Sequence, residues 1–440
     1  MGMSTEAVGS AGTPATAEQL VPLHRNRDFR RLWVGQAFSD LGTTASALAY
    51  PLLVLALTGS PVQAGLVGSA NLATQTIFGL PAGALVDRWN RRRVMIACES
   101  VRALTAGTLV VAILTGWASL PVIVVLGVVG SAAGVFFGPA QSAALRHIVP
   151  TTQLPLASAR NEARSYAAEL AGPPLGGALF ALARFAPFMA DAISYLISLV
   201  AVASIRRPLQ DERRGKPEGL ARSIMMGLRF VVKEPFLRAV LGVAPIVNAS
   251  FIGLIFVLVV VLRERGVPVA GIGGVQSAIL AGGLVGALVA PWLQRRLRTP
   301  VLIIAALWLM VLLVGAAAVA PGTYTVAALL AIAILPSPTI NAGLFGYQIA
   351  ITPDAMQGRV DGAISLFATS LGPFAPLLAG VLVELWGGQW AFAAFATFLA
   401  VAAVIASVSR GIRTMRPLDR DADQAVDSPG QLRSAIDGKS

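Results

Sequence analysis

Three carboxylates in this chain stand where carboxylates are costly. Asp40, Glu169 and Asp191 each fall within a long apolar stretch. An acid held that far from water is paired, hydrogen-bonded to a neighbour, or able to take up and release a proton. The last option is the chemistry of a proton carrier. Asp40 lies nine residues beyond Arg31, about 14 Å along a helix, and its side chain is too short to reach back to the interface. It is a candidate for proton or substrate coupling; the alternative is a fixed hydrogen bond to a nearby Ser or Thr. Glu169 precedes Gly172 by three residues and Gly176 by seven, so one helical stripe carries an acid and two small residues. Either it couples at a helix interface or the stripe only packs closely. Asp191 sits toward the end of its run, as a third coupling candidate or as an end-of-helix structural acid. Glu99 and Arg102 share a helix face at i, i+3 spacing and can pair locally.

A fourth acid, Asp87, stands in "GALVDRWNRRR" at 83–93. Arginines in such a place anchor the flanking helices at a membrane surface, Arg88 and Arg93 above all. Anchoring needs no acid, so Asp87 asks for another role. A fading copy, "GALVAPWLQRR" at 286–296, carries Ala290 in the acid's place.

The elements that hold these residues follow from hydropathy. Of 440 residues, 55% are hydrophobic and 13% charged, against roughly 25% charged in a soluble domain. The fold class is therefore all-α integral membrane, with the lipid bilayer as its surroundings. A spanning helix needs about 20 apolar residues. Twelve runs qualify: 32–57, 64–86, 94–116, 120–146, 161–184, 187–205, 238–262, 271–293, 300–320, 323–351, 361–385 and 389–409. The expected organisation is a disordered tail (1–30), a six-helix bundle (31–205), a basic linker with an amphipathic segment (206–237), a second six-helix bundle (238–410) and a disordered tail (411–440). No signal peptide is visible in the first 20 residues.

The net charge of +12 would suggest a polyanion partner in a soluble protein. Its placement says otherwise. Thirty of the 34 basic residues fall on the side of the N-terminal tail, and three (Arg184, Arg263, Arg265) on the other. The positive-inside rule makes both termini cytosolic, with no nucleic-acid partner. Arginine greatly outnumbers lysine, which fits a GC-rich bacterial genome and a bacterial cytoplasmic membrane. No phosphate-binding loop occurs. Two histidines (His24, His147) and one cysteine (Cys98) build no metal site or nucleophile triad. No cofactor and no enzymatic activity are expected, and Cys98 is expected to be a small buried apolar residue.

The halves repeat: "GALV" recurs at 83 and 286, and "LAGP" at 170–173 pairs with "SLGP" at 370–373. Such repeats suggest two bundles related by an axis along the membrane normal, with a substrate site between them near the midplane.

Over about residues 25–410 the sequence resembles the major facilitator superfamily. "GALVDRWNRRR" is similar to its loop 2–3 signature, with Gly83, Asp87, Arg88, Arg91 and Arg92 matching. Asn90 stands for the usual glycine, a substitution that fits a left-handed turn. The resemblance implies a gating latch, in which Asp87 sits at the N-terminus of helix eleven around Val360–Ser365. A helix N-terminus offers free N–H groups and partial positive charge. With Ala290 in the second copy the latch would be one-sided. "AGPPLGGAL" resembles the fifth-helix motif of antiporters through Gly172, Pro173, Gly176 and Gly177; its upstream glycines are missing. "FFGPAQSAALRHIVP", "PFMADAISYLIS" and "GLRFVVKEP" resemble the subgroup of macrolide and enterobactin exporters. The Arg-x-x-Gln-Gly signature of helix four is absent.

In helix ten, Pro336 and Pro338 must interrupt the hydrogen-bond ladder, which is tolerated where the break faces protein or a cavity. By family analogy such helices line the pathway. Tyr50, Phe137, Asn248, Asn341 and Gln348 are then the candidate contacts in a mostly apolar wall, which suits a lipophilic small molecule. The implied function is secondary transport by a monomer through alternating access: proton-coupled export of lipophilic drugs or a hydrophobic metabolite, in the manner of a multidrug antiporter. Siderophore export, or a non-transporting sensor or scaffold on the same fold, are the alternatives.

Overall fold

The computed structural model describes residues 22–205, 207, 209–210 and 220–415. Of the tails expected at 1–30 and 411–440, residues 1–21 and 416–440 lie outside the described residues, as do 206, 208 and 211–219 of the linker, while 27–30 and 411–413 are helical. Every regular element among the described residues is a helix. The first half comprises α1 (Arg27–Thr58), α2 (Pro61–Val86), α3 (Arg91–Thr115), α4 (Leu120–Ile148), α5 (Leu154–Leu182) and α6 (Ala186–Ala203). Then come a linker helix α7 (Leu220–Lys233), α8 (Pro235–Glu264), α9 (Val269–Arg296), α10 (Thr299–Val319), α11 (Thr323–Ile334), α12 (Ser337–Ile351), α13 (Gln357–Thr369), α14 (Ala375–Trp386) and α15 (Gly388–Val408).

Among the described residues, ten helical stretches are long and apolar enough to cross a membrane, α11–α12 and α13–α14 each acting as one. The other two, α2 and α5, have 26 and 29 residues, or about 39 and 44 Å at 1.5 Å per residue. Leu104, Leu182, Leu288 and Leu312 are more than half exposed. An outer surface of leucine suits lipid and not water.

Helices begin earlier than the apolar runs because their first turns carry capping and charged residues. Asn26 caps α1 by accepting from the Phe29 N–H, and Asn90 caps α3 by accepting from Arg93 N–H, both at 3.1 Å. Asn90 has φ −70° and ψ 110°, so the expected left-handed turn is not there: asparagine serves here as an N-cap. The start of α5 at Leu154 puts Arg160, which precedes the expected run at 161–184, inside the helix with Arg164.

The tenth span breaks where its prolines predict, between Ile334 and Ser337. The eleventh breaks too, through a tight turn at Gly372–Phe374. The "GPP" of α5 stays helical, so the repeated Gly-Pro has different outcomes in the two halves.

Within the first half α1 packs on α5 and α6, and α3 on α4 and α6. In the second, α15 packs on α8 and α10, and α9 on α11. Two seams join the halves, α5 with α9 and α2 with α14. Along α5, a Cβ on Gly176 would strike the Ala45 carbonyl of α1, and one on Gly177 would strike the Val269 carbonyl of α9. These adjacent glycines let α5 touch both halves at backbone distance. The Ser277 hydroxyl adds a hydrogen bond to the Leu170 carbonyl across that seam at 2.6 Å.

Both seams lie toward the end bearing the α1–α2 and α14–α15 connections. The other end is rich in arginine. There α7 lies against α8 and α13, with Gly227 against the Arg359 carbonyl.

Candidate functional site

A cavity of about 740 Å³ lies between the halves. Its walls differ in character. The first half supplies its charged side chains, Asp191, Glu169 and Arg102, with Thr43, Ser46, Tyr50, Asn71, Gln75 and Tyr195. The second half supplies Ile252, Ile255, Phe256, Val259 and Leu280, relieved by Gln276. One face can exchange protons or hold polar groups; the other offers apolar contact.

Helical spacing builds the polar face. Gln36, Ser39, Thr43 and Ser46 recur every three or four residues along α1 and so share one stripe. Asp191, Tyr195 and Ser198 do the same on α6, and Glu99 and Arg102 on α3. The three stripes meet inside the first half.

At the bottom of the network Glu99 is fully buried. Its Oε1 accepts from Gln36 Nε2 at 3.2 Å and from Ser198 Oγ at 2.8 Å. Its Oε2 makes no hydrogen bond and is 3.7 Å from Arg102 Nη1. Arg102 then turns toward the cavity. Its Nη2 donates to Thr43 Oγ1 at 2.9 Å and to the Tyr195 hydroxyl at 3.1 Å. Its guanidinium carbon is 4.0 Å from the Tyr195 ring centroid, a cation–π contact.

Asp191 closes the row. Only 4% exposed, it accepts from Ser46 Oγ at 2.6 Å through Oδ2. Its Oδ1 has no hydrogen-bond partner among the described residues. A Cβ on Gly42 would come within 2.9 Å of that oxygen, so the glycine makes room for it. An unsatisfied carboxylate oxygen at a cavity wall is costly to keep charged and unpaired. A proton, or a donor on a bound molecule, would complete it.

The other expected site residues distribute as follows. Glu169 lines the cavity, while Gly172 and Gly176 pack against Thr44 and Ala45 of α1. Asp40 is not without a cation partner. Arg164 Nε donates to its Oδ2 at 2.9 Å, and Ser165 lies 3.4 Å from the same oxygen. Arg164, assigned from sequence to the basic surface, is 8% exposed and ties α5 to α1. Asp40→Asn is therefore expected to cost about 1–3 kcal/mol of stability, as thermal unfolding would reveal.

Tyr50 lines the central cavity and stacks edge-on with Phe188, ring centroids 5.0 Å apart. Phe137 does not line it: at 3% exposure it packs in a core with Val86 and Ala140. Asn248, Asn341 and Gln348 converge, but on a separate cavity of about 160 Å³ inside the second half. Asn248 Nδ2 donates to the Ala368 carbonyl at 3.0 Å, and Gln348 donates to Asp361.

The "GALVDRWNRRR" stretch closes α2 and opens α3. Asp87 is exposed and accepts no hydrogen bond among the described residues. Arg91 contacts His147 Nε2 at 2.7 Å and donates to the Leu209 carbonyl at 3.2 Å; Arg92 donates to the Ala203 carbonyl at 2.5 Å. Both arginines staple elements of the first half and its exit into the linker. A Cβ on Gly83 would meet open space.

Residues 17–369 match the family model described as "Transmembrane secretion effector". The chain belongs to that family, a branch of the major facilitator superfamily. It is 30% identical to the multidrug efflux pump Tap of Mycobacterium tuberculosis H37Rv over 407 residues, 88% of this chain and 94% of that one. It is 25% identical to macrolide efflux protein A of Streptococcus pyogenes over 288 residues, 64% and 70% of the two chains. The fold matches a bacterial homologue of the iron transporter ferroportin in its inward-facing state, with TM-score 0.70 at 16% identity, covering 88% of this chain and 99% of that one. The outward-facing form of such a homologue matches with TM-score 0.57 at 18% identity, over 86% and 98%. The family is one of multi-pass membrane transporters, not enzymes, and this member is related to multidrug and macrolide efflux pumps.

Proposed function

We propose that this protein is a proton-coupled exporter of lipophilic small molecules in a bacterial cytoplasmic membrane. It works as a monomer of twelve spanning helices, in two six-helix bundles that rock about the central cavity. Both termini are cytosolic, which places the arginine-rich end inside. The conformation described is then open to the cytosol and closed outside. The better match to the inward-facing ferroportin homologue agrees with this.

The observation that carries the reading is the two-faced cavity. Its apolar wall accepts a lipophilic body, and its other wall holds Asp191 with one oxygen unsatisfied. Asp191 is the proton carrier and Glu169 the second carboxyl of the same chamber. Asp40, held by Arg164, is a structural residue. A sensor or scaffold gains nothing from an unsatisfied acid in a cavity this large.

The test is purified protein in liposomes with an imposed pH gradient and a lipophilic fluorescent dye. Dye movement opposite to the proton gradient, abolished by a protonophore, is the expected result. Movement indifferent to the gradient would exclude proton coupling.

A further inference from the structure

We infer that Glu384 is the gate carboxylate of the closed end, acting by capping a helix of the opposite half; this rests on the alternating-access reading above. Glu384 stands in the last turn of α14, and Ser60 and Pro61 open α2. Its Oε2 accepts from Ser60 Oγ at 2.6 Å and from the Val62 N–H at 3.0 Å. The first N–H groups of a helix have no acceptor within it. In α2, Pro61 has none to satisfy, Gln63 N–H is taken by Ser60 Oγ at 3.2 Å, and Val62 N–H is taken by the other half. The negative charge also meets the positive end of the α2 dipole.

The capping is reciprocal. The break at Gly372–Phe374 gives α14 a fresh N-terminus within the membrane-spanning stretch. Its Leu377 N–H donates to Ser69 Oγ of α2 at 2.9 Å. Each helix of this seam thus satisfies a first-turn donor of the other. Between the two caps the backbones touch: a Cβ on Gly65 would strike the Pro376 carbonyl, and one on Gly380 the Pro61 carbonyl. Moving the helices apart by an ångström or more takes both caps out of hydrogen-bond range and parts backbones now in contact. At the far end of the same α2, Asp87 is exposed and accepts no hydrogen bond among the described residues. Separating the Glu384 cap is thus a cost the protein meets each time the outer end opens.

The inference is tested by accessibility, independently of transport. In a Cys98→Ser background, Gln276→Cys places a thiol on the central cavity. A membrane-impermeant maleimide is applied to right-side-out and inside-out vesicles. The expected parent is labelled slowly from outside and quickly from inside. Glu384→Ala is expected to raise the outside rate roughly tenfold or more. Ser60→Ala, which removes one of the two contacts, gives a smaller rise. Glu384→Gln keeps an acceptor oxygen and falls between parent and Glu384→Ala. A one-sided parent whose outside rate is unmoved by Glu384→Ala and by Ser60→Ala overturns the gate alone. A parent labelled equally from both sides overturns the alternating-access reading and the gate with it.

Discussion

Asp191→Asn is expected to abolish uptake driven by a pH gradient while the protein still folds and still binds substrate. Asparagine matches aspartate in size and keeps an oxygen for Ser46 Oγ, so the contact between α1 and α6 survives. It cannot carry a proton. The orphan oxygen beside Gly42 is replaced by an amide or left as a neutral carbonyl, and the cavity wall loses its titratable charge. Gradient-driven dye movement should fall to the level of empty liposomes. Exchange of labelled for unlabelled substrate at equal pH should persist, because exchange needs the cavity and the rocking motion but no net proton movement. Glu169→Gln in the same assay should retain part of the driven transport, since Glu169 is more exposed and accepts no hydrogen bond among the described residues. Wild-type driven transport in Asp191→Asn would remove Asp191 from the mechanism.

Local features were legible in the sequence, and pairings across the chain were not. The helices, the break at Pro336 and the Glu99–Arg102 pair follow from spacing within a few residues. The polar stripes on α1 and α6 were equally readable, since Gln36, Ser39, Thr43 and Ser46 keep a helical period. Asp40 and Arg164 are 124 residues apart, and Ser60 and Glu384 are 324 apart. No spacing rule joins them; only the packing of α5 on α1 and of α14 on α2 does. Asn248, Asn341 and Gln348 show the same limit. A broken helix must face protein or a cavity, but which cavity depends on how the second half packs. Phe137 shows another: an aromatic residue among glycines and alanines reads alike whether it faces a core or a pathway.

Arg102→Leu is expected to destabilise the protein by about 3–5 kcal/mol, the range for removing one partner of a buried ion pair. Glu99 has no access to solvent, and among the described residues its ion-pair partner is Arg102. Gln36 and Ser198 satisfy one of its oxygens but contribute no charge. Glu99→Gln is expected to cost less. Arg102 borders the cavity with its side chain 12% exposed, and it keeps Thr43, the Tyr195 hydroxyl and the Tyr195 ring. The double variant Glu99→Gln/Arg102→Leu should recover much of the loss, because neither charge then remains buried alone. The chain carries its own reporter. Cys98, its single thiol, is 7% exposed and adjoins Glu99, so a maleimide fluorophore reads unfolding in detergent micelles at this network. Equal costs for the two single variants, adding without coupling in the double, would show that the pair contributes through packing alone. A larger cost for Arg102→Leu, relieved by Glu99→Gln, would show that the arginine holds a buried charge whose other oxygen the first half has already satisfied.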